Sequence, residues 1–188
     1  MGRYFCKLRG EKVYLSPINV DDIELYTRWI NNLSTSVPLG QAPQLFSLAR
    51  ERETLEHLSS EGHNFAIVDR SSDSLLGNCG LRKLNQIHGT AEVGIFIGEE
   101  KRRGKGYGTE ALQLLAAFGF KVLNLHNIML RVVSFNARAI RCYEKVGFRE
   151  FGRRSGAFLI NGKRYDDVYM QLLQTEFRSP LLDEELPA

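Results

Sequence analysis

The sequence predicts a mixed α/β (α+β) fold, and three observations carry that prediction. Short segments of period-2 or continuously apolar character, bounded by turn clusters, recur at 12–18, 65–69, 75–84, 91–97 and 128–133. Amphipathic stretches of helical period stand before, between and after them, and an Asn161-Gly162 pair divides the late stretch 158–173 into a hairpin. With 188 residues, 43% hydrophobic and 25% charged, the chain has ordinary globular composition, and one domain over 1–177 is expected.

Each element has its own warrant. Residues 12–18 alternate Val13 and Leu15 with polar neighbours and stop at Ser16-Pro17, which reads as a strand at a sheet edge. From 20 to 33 the positions Ile23, Leu25, Tyr26, Trp29, Ile30 and Leu33 recur at helical spacing behind Asp21 and Asp22, acids suited to a first turn. A second helix over 47–58 carries Arg50, Glu51, Glu53 and Glu56, follows a Pro- and Gly-containing connection at 37–43, and ends at Gly62. Strands at 65–69 and 75–84 flank the turn cluster 70–74. Within the second, Gly77 and Gly80 predict a bulge or a close backbone approach. Strand 91–97 completes a meander and feeds a Gly-rich loop into a helix over 109–123, with the stripe Ala111, Leu112, Leu115, Phe118 and Val122. Strand 128–133, a helix over 136–146 stopped at Gly147, and the hairpin follow. The tail 178–188 holds two prolines and three acids without a usable period and is expected to be flexible.

Composition excludes several classes of function. No apolar run approaches the roughly 20 residues that cross a bilayer, and the N-terminus lacks the apolar middle of a secretory signal, so a cytoplasmic protein without a membrane partner is expected. Cys6, Cys79 and Cys142 are widely spaced and signal neither a disulfide framework nor a zinc knuckle. His57, His63, His88 and His126 have no metal-ligand spacing, and no metal is predicted. A net charge of +3, from 25 basic and 22 acidic side chains, is too balanced for a nucleic-acid coat, and the patch Lys101, Arg102, Arg103 and Lys105 is interleaved with glycines, so no nucleic-acid partner is expected. Any anion site must be local.

That local site is the loop 101–110. Gly104, Gly106 and Gly108 alternate between a strand and a helix start, where glycines let an anion approach the backbone while the N–H groups of the first helical turn point outward. A P-loop fails because five residues, not four, separate Gly98 from Gly104, and Gly106 stands where that motif needs Ser or Thr. The dinucleotide fingerprint fails because the loop reads G-x-G-x-G after a meander. Arg103-Gly104-Lys105-Gly106-Tyr107-Gly108 does fit R-x-x-G-x-G, and Asn136 to Phe148 fits N-x-x-A-x-x-x-Y-E-K-x-G-F about thirty residues later. With these two motifs in order, the chain resembles the GNAT family of acyl-coenzyme A-dependent N-acetyltransferases, and in particular its spermidine and ribosomal-protein N-terminal branches.

The resemblance implies a GNAT fold, with a mixed, mostly antiparallel sheet of about seven strands, flanked by about four helices and splayed at its middle strands. It implies acetyl-CoA as donor, held by Phe96, Ile97, Arg102, Arg103, Gly104, Lys105, Gly106, Tyr107, Gly108, Thr109, Asn136 and Ala139. It also implies an oxyanion site on the backbone of Phe96-Ile97-Gly98, an amine or protein N-terminus as acceptor, and pairing into a homodimer through sheet edges or the late hairpin. The chemistry needs a base, because an alkylamine of pKa about 10.4 is neutral in only about one molecule per thousand at pH 7. Glu92 is the candidate, since strand alternation puts Glu92, Gly94 and Phe96 on one face; a surface carboxylate or a salt bridge is the bland alternative. Tyr143 is the candidate acid toward the departing thiolate, against a core aromatic sharing a face with Ala139 and Ile140. Asn136 reads as both helix cap and cofactor contact. Cys142 lacks a neighbouring His at a motif position and reads as structural. For a polyamine acceptor, Glu51, Glu53, Glu56, Asp166 and Asp167 are the available carboxylates. A coenzyme sensor without chemistry is the competing class, and the presence of both Glu92 and Tyr143 argues against it.

Overall fold

A computed structural model describes residues 3–179 and 181–183. Its strands are β1 (Leu8–Arg9), β2 (Val13–Pro17), β3 (His63–Asp69), β4 (Ser74–Asn85), β5 (Thr90–Ile97), β6 (Asn127–Val133), β7 (Arg149–Ile160) and β8 (Lys163–Leu173). They form one sheet in the order β1-β2-β3-β4-β5-β6-β8-β7. Every neighbouring pair is antiparallel except β5 with β6. The helices are α1 (Ile23–Ile30), α2 (Leu33–Ser36), α3 (Leu48–Ser60), α4 (Tyr107–Ala117) and α5 (Ala137–Val146). Eight strands stand where about seven were expected, the extra one being the two-residue β1, too short to leave a pattern.

The sheet is covered on both faces. Val13, Leu15, Phe65, Ile67, Leu76 and Val93 pack with the apolar side of α4 on one face. Tyr14, Ala66, Val68 and Leu75 pack with Ile23, Tyr26, Trp29 and Leu55 of α1 and α3 on the other. Alternation sends successive residues to opposite faces, so Tyr14 is buried as well as its neighbours, and β2 is not half solvated as its pattern suggests.

Three expectations change locally. The helix over 20–33 is broken: a 3-10 turn at Val20–Asp22 precedes α1, and the Asn31-Asn32 pair ends it. Asn31 bridges Thr27 O and the Phe46 main chain, while Asn32 accepts from Ser34 N and caps α2. The helix over 109–123 widens after Ala117 into a π turn at Phe118–Val122 and leaves Val122 exposed. The tail was expected to be flexible, but its described part packs: Leu182 is buried, and Lys121 Nζ donates to the carbonyls of Ser179 (2.9 Å) and Leu181 (2.8 Å). Residues 184–188 lie outside the described residues. The predicted close approaches in β4 are present, since a Cβ on Gly77 would stand 2.0 Å from Phe96 O and one on Gly80 2.3 Å from Asn64 Oδ1.

What positions the site is the parallel joint. β5 and β6 pair only at Thr90–Asn127, Ala91–Ile128 and Glu92–Met129, then diverge. Beyond Glu92 the two strands form the walls of a wedge, with α4 and α5 at its mouth.

Candidate active site

The wedge opens into a cleft of about 900 Å³. One wall is the free edge of β5. Gly98 N donates to Leu76 O (2.8 Å), and hydrogen-bonded pairs alternate along an antiparallel ladder. With Asn78 opposite Phe96 and Gly80 opposite Gly94, the amides of Phe96 and Gly94 turn to β4, whereas those of Ile95 and Ile97 face the cleft. Of the three amides expected to form the oxyanion site, Phe96 and Gly98 are therefore committed, and Ile97, joined by Ile95, has the required direction.

At the mouth, Gly104 and Gly106 take positive φ (78° and 91°), which glycine adopts without the cost a side chain would add. Gly106 is the N-cap of α4 and no side chain caps that end, so its first N–H groups are available to an anion. Arg138, Arg141 and Lys145 on α5 line the same cleft and form no ion pair among the described residues. A cradle of backbone donors flanked by three unpaired cations fits the phosphates of a nucleotide thioester.

The structure brings together Glu92, Phe96, Ile97, Arg102, Arg103, Gly104, Gly106, Gly108, Thr109, Asn136, Ala139 and Tyr143 around this cleft. It does not bring Lys105 and Tyr107: both face a separate depression beside Asp69, and Tyr107 Oη donates to Asp69 Oδ2 (3.3 Å). Arg102 lines the cleft while paired with the same carboxylate (3.1 Å). The Arg103 guanidinium is occupied by protein oxygens: Nε donates to Ile97 O (2.9 Å), Nη1 to Ser34 O (3.0 Å), and Nη2 to Thr35 Oγ1 (2.5 Å) and Gly98 O (2.9 Å).

Glu92 sits at the apex of the wedge, partly exposed, with Lys83 Nζ 3.0 Å from Oε1. Tyr143 packs edge-on to Phe148 at 6.1 Å. Its hydroxyl has no protein partner among the described residues, and burial pushes its pKa up, against a smaller opposing pull from the Arg82 charge. A phenol held protonated can donate. Asn136 Oδ1 accepts from Ala139 N (3.2 Å), the predicted cap, and its side chain also borders the cleft. Burial raises the Cys142 pKa, outweighing the opposing hydrogen bond with Thr109 Oγ1, 3.3 Å from its Sγ, and the smaller pull of the Lys145 charge, so the thiol form is favoured. Among the described residues no His, Cys, Asp and Glu side chains gather as a metal-binding group.

Residues 12–149 match the family model described as "Acetyltransferase (GNAT) domain". The chain belongs to the GNAT family and is an acetyltransferase. Spermidine N(1)-acetyltransferase of Vibrio cholerae is 33% identical over 122 residues, 65% of this chain and 70% of that protein. The enzyme of the same name from Escherichia coli K12 is 28% identical over 168 residues, 89% of each. A crystal structure of the Vibrio cholerae spermidine N-acetyltransferase in complex with CoA and spermine superposes with a TM-score of 0.79 at 28% identity, covering 89% of this chain and 98% of that one. GNAT acetyltransferases use acetyl-CoA, which accounts for a motif that failed as a P-loop and as a dinucleotide site.

Sequence reasoning missed several lining residues. Ser34 and Thr35 come from the four-residue α2, too short to leave a period, and Arg82, Arg131 and Tyr169 from three strands far apart in sequence. Arg138, Arg141 and Lys145 were missed as well, although their spacing of three or four residues on one helix puts them on one face.

Proposed function

We propose that a single domain over 1–177 transfers the acetyl group of acetyl-CoA to the N-terminal amine of a peptide or protein. Main-chain N–H groups from Gly104 to Thr109, with Arg138, Arg141 and Lys145, hold the donor's phosphates. Asn136 and Ala139 border its arm, and the Ile95 and Ile97 amides face the carbonyl on which negative charge develops. The bound donor supplies an activated acetyl thioester. Glu92 accepts the ammonium proton, and Tyr143 offers its hydroxyl proton to the departing sulfur.

The charge around the acceptor end supports the choice of acceptor. Arg82, Lys83 and Arg131 line the cleft there against one carboxylate, Glu92. None of the acids available for a polyamine lines it: Glu51 is buried in α3, Glu53 and Glu56 are exposed on that helix, Asp167 is locked to Arg131 (2.9 Å), and Asp166 accepts from Gly156 N. With Lys83 paired to Glu92 and Arg131 to Asp167, Arg82 is the cation left uncompensated there among the described residues, so a polycation finds no free carboxylate whereas acidic residues behind a peptide N-terminus find a partner. The relatives named for spermidine favour a second reading, a polyamine acceptor. Thiol release from acetyl-CoA decides between them, using peptides that begin Ser-Glu, Ala-Glu or Ser-Lys alongside spermidine and spermine. We expect the acidic peptides to give at least tenfold higher kcat/KM than spermidine, and Arg82→Glu to narrow that ratio. A spermidine preference in the unaltered protein refutes the peptide assignment.

A further inference from the structure

The family motif begins with Arg103, an obvious candidate for a phosphate ligand, yet all five of its N–H groups have protein acceptors once the longer Nη1 contact to Ser34 Oγ (3.5 Å) is included. Those acceptors belong to two structures. Ile97 O and Gly98 O end β5, and Ser34 and Thr35 belong to α2. Thr35 Oγ1, which accepts from Arg103, itself donates to Gly98 O (3.4 Å). On the other side of Gly98 lies the Trp29 indole, so close that a Cβ there would stand 2.0 Å from Cδ2.

From α2 the chain continues into the acceptor side of the cleft. Pro38 and Leu39 line it, Gln41 N is tied back to Ser36 O (2.8 Å), and Phe46 is held by Asn31. This wall has little regular structure of its own, and the Arg103 fork, with the longer Thr35 Oγ1–Gly98 O bond beside it, fastens it to the sheet.

We infer that Arg103 is a positioning residue: its guanidinium fixes α2 and the connection to α3 against the end of β5, while its main chain begins the anion-binding loop. The residue that opens the donor loop thus orders the acceptor wall, and its side chain is not a phosphate ligand. The donor half of this inference rests on the proposed acetyl-CoA site; the tie itself does not.

Hydrogen exchange and calorimetry on the full chain separate the two. In Arg103→Gln without ligand, amides of 33–46 should exchange at least tenfold faster than in the unaltered protein, with β6 to β8 unchanged, and coenzyme A should bind within about threefold of the original affinity. Equal exchange over 33–46, or a tenfold loss of coenzyme A affinity, overturns the assignment. Thr35→Val removes one hub of the fork without touching the loop and should shift the same amides in the same direction, while Thr35→Ser should restore them. If the Gln variant does not fold, unchanged exchange in Thr35→Val overturns the assignment. Absence of coenzyme A binding by the unaltered protein would refute the donor site and leave the exchange comparison decisive for the tie.

Discussion

Replacing Gly98 with Ala tests the junction between α1, α2 and β5 most directly. The added Cβ would stand 2.0, 2.3 and 2.4 Å from Cδ2, Cε2 and Cε3 of Trp29, against about 3.5–4.0 Å for an unstrained carbon contact. The obstacle is a rigid indole, buried and in edge contact with Tyr26 (5.6 Å) and Phe96 (6.2 Å), so rotamer change cannot clear it. Nor can Gly98 retreat freely, because its N–H is bonded to Leu76 O and its carbonyl accepts from Arg103 and Thr35. About 1.5 Å of separation must come from moving α1 or the strand end, so the cost should lie near the top of the range of about 1–3 kcal/mol for overpacking. For a chain of this size that is a fall in Tm of about 6–12 °C. Circular dichroism melts and urea titration would measure it. Trp29→Phe should absorb much of the strain, giving a favourable coupling of at least about 1 kcal/mol in a double-mutant cycle. A Gly98→Ala protein within about 2 °C of the original, or additive variants, would refute the steric reading.

Other consequences follow at the site. Glu92→Gln should lower kcat/KM by about 10²–10⁴, most at low pH where free amine is scarcest; an unchanged pH–rate profile removes Glu92 as the base. Tyr143→Phe keeps the ring against Phe148 and deletes only a hydroxyl open to the cleft, so turnover should fall while Tm holds, and full turnover would refute the acid role. Burial alone would raise the Asp69 pKa, but hydrogen bonds from Ser71, Ser72 and Tyr107 bring it below the usual range. Its contribution is therefore full above an unfolded-state pKa of about 3.9 and lost as pH falls through the lower folded value. Asp69→Asn should cost about 1–3 kcal/mol at neutral pH, and urea titrations should show the gap to the unaltered protein closing below about pH 4.

Much of the fold was legible because its signals are local. The β3–β4 hairpin shows its turn in Arg70 to Ser74, the β7–β8 hairpin in Asn161-Gly162, and α5 in Asn136 and Gly147, each a residue type chosen for one backbone conformation. The first half of β7 was not legible, because an exposed edge strand reading Arg149-Glu150-Phe151-Gly152-Arg153-Arg154 buries no face and keeps no period. The break in α1 was hidden for a different reason: its apolar spacing runs through Asn31 and Asn32, and only the contact with Phe46 shows that the chain turns there.

The sequence by itself pointed to the family, and through it to the reaction class, because the two motifs that carry the resemblance, a glycine-spaced helix start and a capped helix bearing Tyr143, are written in consecutive residues. Tertiary structure alone decided which amides of β5 are free, since ladder parity depends on the partner strand and on where β6 departs. It also decided that Arg103 turns inward to Ser34 and Thr35, about seventy positions earlier, and that Arg82 and Arg131 line one cleft. Charges distant along the chain become one electrostatic field only when the sheet sets their order.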